Sequence, residues 1–529
     1  MKVYANSVNR DVLNINKSTI GDVLDLGEER VIFADDDSAV SNSFFETRCH
    51  GFKILVIVPN VGDEINVAGA MILNLIKARA VIFVAFTNFS TDTKITSEVK
   101  NSLAILGVKE NNIIYLDNDD AFTLKKLILE IEADVIFCAD FDIPADHRRL
   151  SIDFDQALGE ILASGGNKYQ PEIYKSFAYA TAFSAIQDFY SDNLQETKRP
   201  LDFDLIDKVN YTWSERIRFP VFEDCRQPLI QHNPIAKAIF AYKSQQNDKN
   251  VLGILNSDEV FFERRTDNLV YTAEISATSG DFSKVYDFHI INTEGFNESR
   301  AKFCNHIWKP DKGDSEKRLT LSWKNLQQIE QIKIYGDINS ERDNQLKLSL
   351  NDSISFELNL PKYGKPCVVD FPEIIFASEV EIQLQAEIGI AEIEIFAEKE
   401  PRRIIKPFIK ITIDDNFVYD YLISKSKKRV ELDIYRFHTS QPIEMSVSDG
   451  VIYCSDEKFI LQFDSDDVTV RAEIAGDSEI FDQIKIHRKS PLYFWKLKLK
   501  QLFERMNIHL YQTVDHSINR IKSLLHFKL

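Results

Sequence analysis

The chain has 529 residues, of which 44% are hydrophobic and 27% are charged, and its formal net charge at pH 7 is −19. This length predicts roughly three domains at about 150 residues each, and the composition is that of an ordinary globular protein. The acidic balance excludes a general nucleic-acid partner, because neutralising phosphates requires clustered Lys and Arg. The six cysteines lie far apart without a C-x-x-C pair, which favours a reduced, cytoplasmic compartment. We expect neither a signal peptide nor a membrane span, since no window reaches about 18 uninterrupted apolar residues.

Strands and helices alternate in the first half of the chain. Residues 1–50 are polar and irregular, and we treat them as an N-terminal extension. Over residues 51–250 the pattern predicts strands at 53–58, 80–87, 112–116 and 134–139, and helices at 64–78, 93–106 and 121–131. Runs such as VIFVAF are continuously apolar, which is typical of a strand covered on both faces. We therefore predict an α/β fold with a doubly wound, mostly parallel sheet.

The second half reads as β structure. From about residue 250, apolar and polar residues alternate with period two in runs separated by Gly, Asn, Asp and Pro. VFFERR, RLTLSW and IEQIKIYG are examples, and together such runs predict a β-sandwich over residues 251–400. FIKITI and VTVRAEI belong to a second β domain, predicted over residues 401–487.

The C-terminal tail, residues 488–529, is basic and helical in pattern. It has nine Lys or Arg against two acidic residues, a charge of +7, and its apolar residues recur at steps of three or four. Such a helix can lie on an anionic membrane surface or dock on membrane-associated glycan enzymes. The alternative interpretations are that the helix pairs with a second copy or folds back on this acidic protein. We expect a cytoplasmic protein that associates peripherally with a membrane.

The most informative local feature is the turn PNVGDE at residues 59–64, which joins an apolar strand to a helix. Side chains at the carboxyl end of a strand in an open α/β sheet face the crevice where ligands bind. Asn60, Asp63 and Glu64 are therefore predicted to lie in a functional site.

This turn carries a resemblance to a known family. PNVGDE, followed by a helix with Gly69, resembles the P-H-P-D-D-E motif of the PIG-L/LmbE family of zinc-dependent de-N-acetylases. Similar segments follow in the family's order: AFTN at 85–88, AILGVKENNIIYLDNDD at 104–120, DIPADH at 142–147 and HNPIAKAIFAYKSQ at 232–245. The resemblance spans roughly residues 53–245 and implies a deacetylase fold acting on N-acetylglucosaminyl conjugates.

The resemblance also implies a catalytic set, of which part has changed. A zinc hydrolase needs three protein ligands, a bound water and a carboxylate that takes its proton. The aligned ligand positions are Asn60, Asp63 and His147, and the aligned base position is Gly62. Asn60 offers only a neutral amide oxygen and Gly62 has no side chain, while Pro144 replaces the family's oxyanion-stabilising His.

These changes favour loss of hydrolysis. Removing a general base costs about 10²–10⁴-fold in rate, and removing an electrostatic stabiliser about 10²–10³-fold. We predict a protein of polysaccharide or glycolipid biogenesis that binds an N-acetylhexosamine-containing glycan without hydrolysing it. One alternative is an active de-N-acetylase, with zinc on Asp63 and His147 and water positioned by Glu64 or Asp146. A second alternative is a protein-assembly scaffold.

Several residues are candidates for sugar binding. Asn88 ends the second strand, and the segment YTWSERIR contains Trp213, Arg216 and Arg218. Aromatic faces and planar guanidinium groups suit pyranose rings and carboxylates, although packing alone would also explain them. In the β regions, His289, His306 and His438 have no neighbour at metal-ligand spacing in the sequence, and we interpret them as structural.

The first β region carries a second resemblance. Residues 257–281 and 305–337, with a turn at Trp308 and the strands LTLSW and IKIYG, resemble discoidin-like jelly-roll modules. These modules often bind carbohydrate, so the resemblance implies a glycan-binding or a spacer role. A sandwich by itself does not fix a function.

Overall fold

The computed structural model describes most of residues 48–499. Its described ranges are 48–88, 92–117, 120–142, 144–165, 169–176, 217–219, 233–244, 259–290, 292–294, 302–304, 306–351, 353–386, 388–413, 416–417, 420–455, 458–496 and 498–499. These residues fall into two compact units, one of residues 52–404 and one in which residues 48–51 join those from 405 onwards. Each unit is described by itself.

A mixed seven-stranded sheet forms the first part of the first unit. Its order is β3–β2–β1–β4–β5–β7–β6, with β1 to β5 parallel and the last two pairings antiparallel. The strands are β1 Lys53–Val58, β2 Val81–Phe86, β3 Ile113–Tyr115, β4 Val135–Ala139, β5 Glu172–Ser176, β6 Ile217–Phe219 and β7 Glu259–Arg264. The expected mostly parallel sheet is therefore confirmed for its first five strands.

Helices begin and end where the sequence supplies caps. Within the described residues they are α1 Asp63–Lys77, α2 Thr93–Leu106, α3 Ala121–Ile131, α4 Ala145–Gly165 and α5 Pro234–Ala241. The Asp92 and Asp120 side chains accept hydrogen bonds from the amides of Lys94 and Thr123, which satisfies the first turns of α2 and α3. Gly107 ends α2 in the left-handed conformation, at φ 93°. These local signals explain why predicted boundaries lie within two residues of the observed ones.

Strand β7 belongs to a different sheet from the one expected. The sequence assigned VFFERR to the sandwich, but Glu259–Arg264 pairs antiparallel with β5 and extends the α/β sheet. Phe261 and Phe262 are both buried, as in a strand covered on two faces, and alternation alone cannot tell which sheet a strand joins. Arg403, beyond the first sandwich, contacts Glu263 on β7 at 3.0 Å and Glu172 on β5 at 3.4 Å.

A β-sandwich completes the first unit. Its six-stranded sheet has the order β13–β12–β14–β11–β15, with β8 also paired to β11, and β9 and β10 form a separate pair. The strands are β8 Glu274–Ala277, β9 Asn292–Glu294, β10 Lys302–Cys304, β11 Arg318–Gly336, β12 Asn344–Leu350, β13 Ile354–Leu360, β14 Cys367–Leu384 and β15 Ile390–Phe396. RLTLSW and IEQIKIYG lie on one strand, β11, whose register shifts mark bulges. Trp308 is fully buried in the core of this sandwich.

The strands of the second unit form two β-sheets. One sheet has the order β17–β16–β19–β22–β21 and the other β18–β24–β23–β20. Their strands are β16 Phe408–Ile413, β17 Asn416–Phe417, β18 Asp420–Ser424, β19 Arg429–Phe437, β20 Ile443–Val447, β21 Val451–Ser455, β22 Lys458–Gln462, β23 Asp467–Ile474 and β24 Asp477–Lys489. Apolar side chains from both sheets, including Ile411, Leu432 and Val470, form one buried core.

Only the start of the tail is described. Residues 491–496 and 498–499 are helical, and the remainder of the predicted helix lies outside the described residues. Leu492 and Trp495 are each 60% exposed. Among the helices that the structure describes, none is both long enough and apolar enough to cross a membrane.

Candidate functional site

The turn after β1 is closed by its own backbone and side chains. Gly62 stands just before α1 with φ 97°, a conformation that a side chain disfavours. The backbone amide of Asp63 donates to the backbone carbonyl of Asn60 at 3.2 Å, and the backbone amide of Asn60 donates to Asp63 Oδ2 at 3.1 Å. The sequence PNVGDE thus places Asn60 and Asp63 side by side at the carboxyl edge of the parallel strands.

His147 lies opposite this turn, on the first turn of α4. It is fully buried, with Nε2 3.1 Å from Asp63 Oδ2 and Nδ1 3.9 Å from Asp142 Oδ2. Burial lowers the pKa of the imidazole, but the hydrogen bond and charge of Asp63, with the charges of Asp142 and Asp146, outweigh burial and raise the pKa overall. Asp63 and His147, two of the positions that the resemblance implies as zinc ligands, are therefore in direct contact.

Asn60, the third aligned ligand position, forms an amide bridge between two neighbours. Its Nδ2 donates to Asp146 Oδ2, and its Oδ1 accepts from Asn88 Nδ2 at 3.0 Å. Asn88 is exposed, whereas Asn60 and Asp146 are half-buried. The amide bridge, Asn88–Asn60–Asp146, therefore presents hydrogen-bonding groups at the surface of the site.

Glu64 lies beneath the turn, away from solvent. One carboxylate oxygen accepts the hydroxyl of Tyr242, and the other accepts the Gly62 amide at 2.7 Å. Burial, partly opposed by these hydrogen bonds, raises the pKa of Glu64 to about 7. Tyr242 directly follows α5, so the segment 232–245 contacts the turn through this residue.

The structure does not describe the side chains of the remaining predicted sugar-binding residues. Trp213 and Arg216 lie outside the described residues. Arg218 lies on β6, and only its backbone is described. Their role in sugar binding stays a prediction.

A second polar hollow lies on the first sandwich. It has a volume of about 160 Å³ and is lined by Asp337, Ser340, Arg342 and Asn344 beside Leu360. The Asn344 amide donates to Ser340 Oγ at 2.9 Å and to the Arg342 carbonyl at 3.0 Å. No sequence motif marks this hollow, because its residues come from the loop before β12, the start of β12 and the end of β13.

Two histidines interpreted as structural meet in space. The rings of His289 and His306 are 4.4 Å apart between centroids, and the carboxylate of Asp287 lies beside them. They are separated by 16 intervening residues in the sequence, so no spacing pattern revealed this cluster. His438 lies in the other unit, with its ring 6.4 Å from that of Phe408.

No family model matches this sequence, and no curated protein matches it. The solved structures with a likeness include discoidin-like jelly-roll modules. A family 32 carbohydrate-binding module from C. perfringens NanJ, solved with galactose, has 18% identity over 23% of this chain and 92% of its own, with a TM-score of 0.18. A chitosan-binding module from a Paenibacillus sp. IK-5 chitosanase/glucanase has 13% identity over 24% and 98%, with a TM-score of 0.18. Discoidin II from Dictyostelium discoideum has 10% identity over 36% and 88%, with a TM-score of 0.19.

Proposed function

We propose that this protein binds an N-acetylhexosamine-containing glycan or glycolipid intermediate without hydrolysing it. The proposal depends on one observation. The two aligned zinc-ligand positions with suitable side chains, Asp63 and His147, are buried and contact each other at 3.1 Å. In this reading the turn is a PIG-L/LmbE-like site in which this pair stands where the family binds metal.

The residues present do not fit a three-ligand zinc site. Of the three aligned ligand positions, only Asp63 and His147 carry side chains that zinc prefers. The amide of Asn60 is a poor third ligand, and both of its ends are already engaged by Asn88 and Asp146. Gly62 provides no base. A metal-bound water would therefore have neither its ligand set nor its proton acceptor.

The same groups suit recognition of a sugar. The amide bridge presents donors and acceptors at the carboxyl edge of the parallel strands, the position where open α/β sheets bind ligands. Amides and carboxylates match the hydroxyl and acetamido groups of an N-acetylhexosamine. The sandwich hollow, with Arg342 and Asn344, offers a second polar surface for another part of the glycan.

One observation favours the alternative of an active de-N-acetylase. Glu64 has a pKa of about 7, which is near the working range of a general base. However, Glu64 is fully buried, and its two oxygens accept from Tyr242 and from the Gly62 amide. A substrate water would have to displace these contacts, so we place binding ahead of hydrolysis.

The test is binding and acetate release measured on the same samples. N-acetylglucosamine oligomers are titrated into wild type, Asn88→Ala and Asn60→Ala, with Asn111→Ala as a matched control on an exposed asparagine of the same domain. We expect binding that weakens by at least about 10-fold in the two site variants, which corresponds to about 1.4 kcal/mol, and no acetate release. Acetate release abolished by Asp63→Ala would establish the enzyme instead. Retention of protein partners without any sugar would favour the scaffold.

We also propose that the tail brings this site to an anionic membrane surface. The exposed apolar side chains of Leu492 and Trp495 lie among basic residues, as in interfacial helices. Deleting residues 489–529 should release the protein from anionic liposomes in a sedimentation assay. Undiminished sedimentation of the deletion variant would refute the membrane part of the proposal.

A further inference from the structure

Asp287, His289 and His306 form a compact donor cluster on the first sandwich. Asp287 Oδ1 accepts the backbone amide of His289 at 2.9 Å, which fixes the orientation of the carboxylate. The other oxygen, Oδ2, lies 3.5 Å from His306 Nδ1. One donor atom from each of the three side chains lies within 4.8 Å of the other two.

The contact between His306 and Asp287 in this cluster is longer than that of a strong hydrogen-bonded pair. His487 and Asp467, an ordinary surface pair in the other unit, lie 2.6 Å apart. The 3.5 Å between His306 and Asp287 exceeds the usual hydrogen-bond range of about 2.7–3.2 Å. Zinc bonds of about 2.0–2.2 Å place neighbouring tetrahedral ligand atoms about 3.3–3.6 Å apart. The observed separation therefore also fits two ligands of the same ion.

The loop that carries two of the donors is held in an unusual conformation. Phe288, between Asp287 and His289, has φ 64°, a region that bulky residues rarely occupy. Arg264 donates from Nη2 to the Phe288 carbonyl at 3.2 Å, and its guanidinium lies 4.1 Å from the centroid of the Phe288 ring. Strained residues of this kind persist only where surrounding structure fixes them, and they cluster at ligand sites.

Helix α4 approaches this loop closely at Gly159. A Cβ at that position would lie 1.9 Å from the Asp287 carbonyl oxygen, so only glycine permits the contact. The helix therefore packs directly against the backbone of Asp287. Preorganisation of this kind is what holds metal ligands in place before the ion binds.

The donor cluster also has access to solvent. It borders an open cleft of about 340 Å³, whose other wall is formed by Gln156 and Glu160 of α4. The side chains of His306 and Asp287 are 45% and 29% exposed, whereas His289 is buried. An ion can therefore enter from the cleft, and a fourth ligand can reach it from the same side.

We propose that Asp287, His289 and His306 bind a divalent transition-metal ion of the zinc type, with one coordination position open to the cleft. Two imidazoles and one carboxylate are a common ligand set for zinc, and three protein ligands leave room for water or a ligand oxygen. Calcium and magnesium take oxygen ligands, so the two histidines select against them. This site is separate from the turn at β1 and is independent of the proposed glycan function.

The test is calorimetric titration of zinc into the untagged, chelator-treated full chain. We expect one zinc per chain in wild type, and a loss of affinity of more than about 100-fold in His306→Gln, His289→Gln and Asp287→Asn, beyond the 10–100-fold that an outer-shell change costs. The matched control is His487→Gln, which removes a histidine from a pair with a single carboxylate. Cobalt substitution, read by visible absorption, reports whether the bound ion is tetrahedral.

The other outcomes separate this inference from the proposed function. Absence of zinc binding in wild type overturns the inference and leaves the glycan proposal standing. Zinc binding that survives His306→Gln but is lost in His147→Gln overturns both, because the ion would then sit at the turn. Equal losses in His306→Gln and His487→Gln would show adventitious surface binding and overturn the inference. Because the His306 side chain is exposed, its variant should keep the wild-type circular dichroism spectrum and melting temperature.

Discussion

The turn after β1 and the donor cluster of the sandwich contain the same residue types in opposite settings. At the turn, His147 is buried and contacts Asp63 at 3.1 Å. In the cluster, His306 is half-exposed and lies 3.5 Å from Asp287, beside a second imidazole. Burial and spacing, and not residue identity, decide whether a histidine and a carboxylate form a fixed ion pair or a set of ligands.

The comparison also shows how a site can be recognised by motif and yet differ in chemistry. The order of segments along the chain pointed to the turn, where the implied ligands are joined to one another. The cluster has no motif, yet its donors face an open cleft. The resemblance predicted a function for the turn, whereas the distances and exposure of the side chains decide which chemistry each place can support.

The two sites should differ most in how much the free energy of unfolding falls when the carboxylate of each is removed. Asp63→Ala leaves the buried His147 without its hydrogen-bonded counter-charge and should lower the free energy of unfolding by about 3–5 kcal/mol. Asp287→Ala removes a partly exposed group and should cost less than about 1 kcal/mol. Hydrogen exchange of β1 and α4, read with urea unfolding, measures both. Similar losses would contradict the distinction between the two sites.

A second prediction concerns the pH dependence of the turn. Burial raises the pKa of Glu64 from 4.5 to about 7, so the protonated carboxyl is favoured in the folded state. The contribution of Glu64 to the free energy of unfolding is fully present below pH 4.5 and is lost as the pH rises through 7. At about 1.4 kcal/mol per pKa unit, the loss is roughly 3 kcal/mol. Glu64→Gln should remove this fall in the stability of the first unit.

The control for this experiment is Glu110→Gln, which alters an exposed carboxylate in the turn before β3, where it contacts Lys100 at 2.7 Å. Its profile of stability against pH should follow that of wild type. A fall that persists unchanged in Glu64→Gln would mean that another buried group produces it.

A smaller loss of stability than at the turn is expected at the contact between α4 and the cluster. Gly159→Ala introduces a Cβ 1.9 Å from the Asp287 carbonyl oxygen, so the backbone must shift, at a cost of about 1–3 kcal/mol. Gln156→Ala, an exposed position on the same helix, is the matched control and should change stability little. Thermal unfolding of the two variants, with zinc titration of each, measures the effect. Wild-type stability in Gly159→Ala would show that this close approach does not constrain the loop.

Local patterns in the sequence predicted where helices and strands lie better than they predicted which of them meet in space. Apolar runs and helix caps placed the strands and helices up to residue 139 within two residues, and the turn at Asn60 was identified from its position. The sheet that β7 joins was not predictable, because period-two alternation is the same for any strand with a buried face. The meeting of Asp287 with His306 depends on how a loop folds back, which no periodicity encodes.

The pairing of β7 with β5 has a consequence for how this protein can be divided. A fragment ending near residue 250 would lack β7 and leave β5 as a bare edge, with amides and carbonyls available for aggregation. A fragment starting after residue 264 would also leave Arg403 without Glu172 and Glu263, its acidic neighbours in the sheet. The α/β sheet and the first sandwich therefore form one structural unit. Recombination or truncation at the apparent boundary near residue 250 would disrupt this unit.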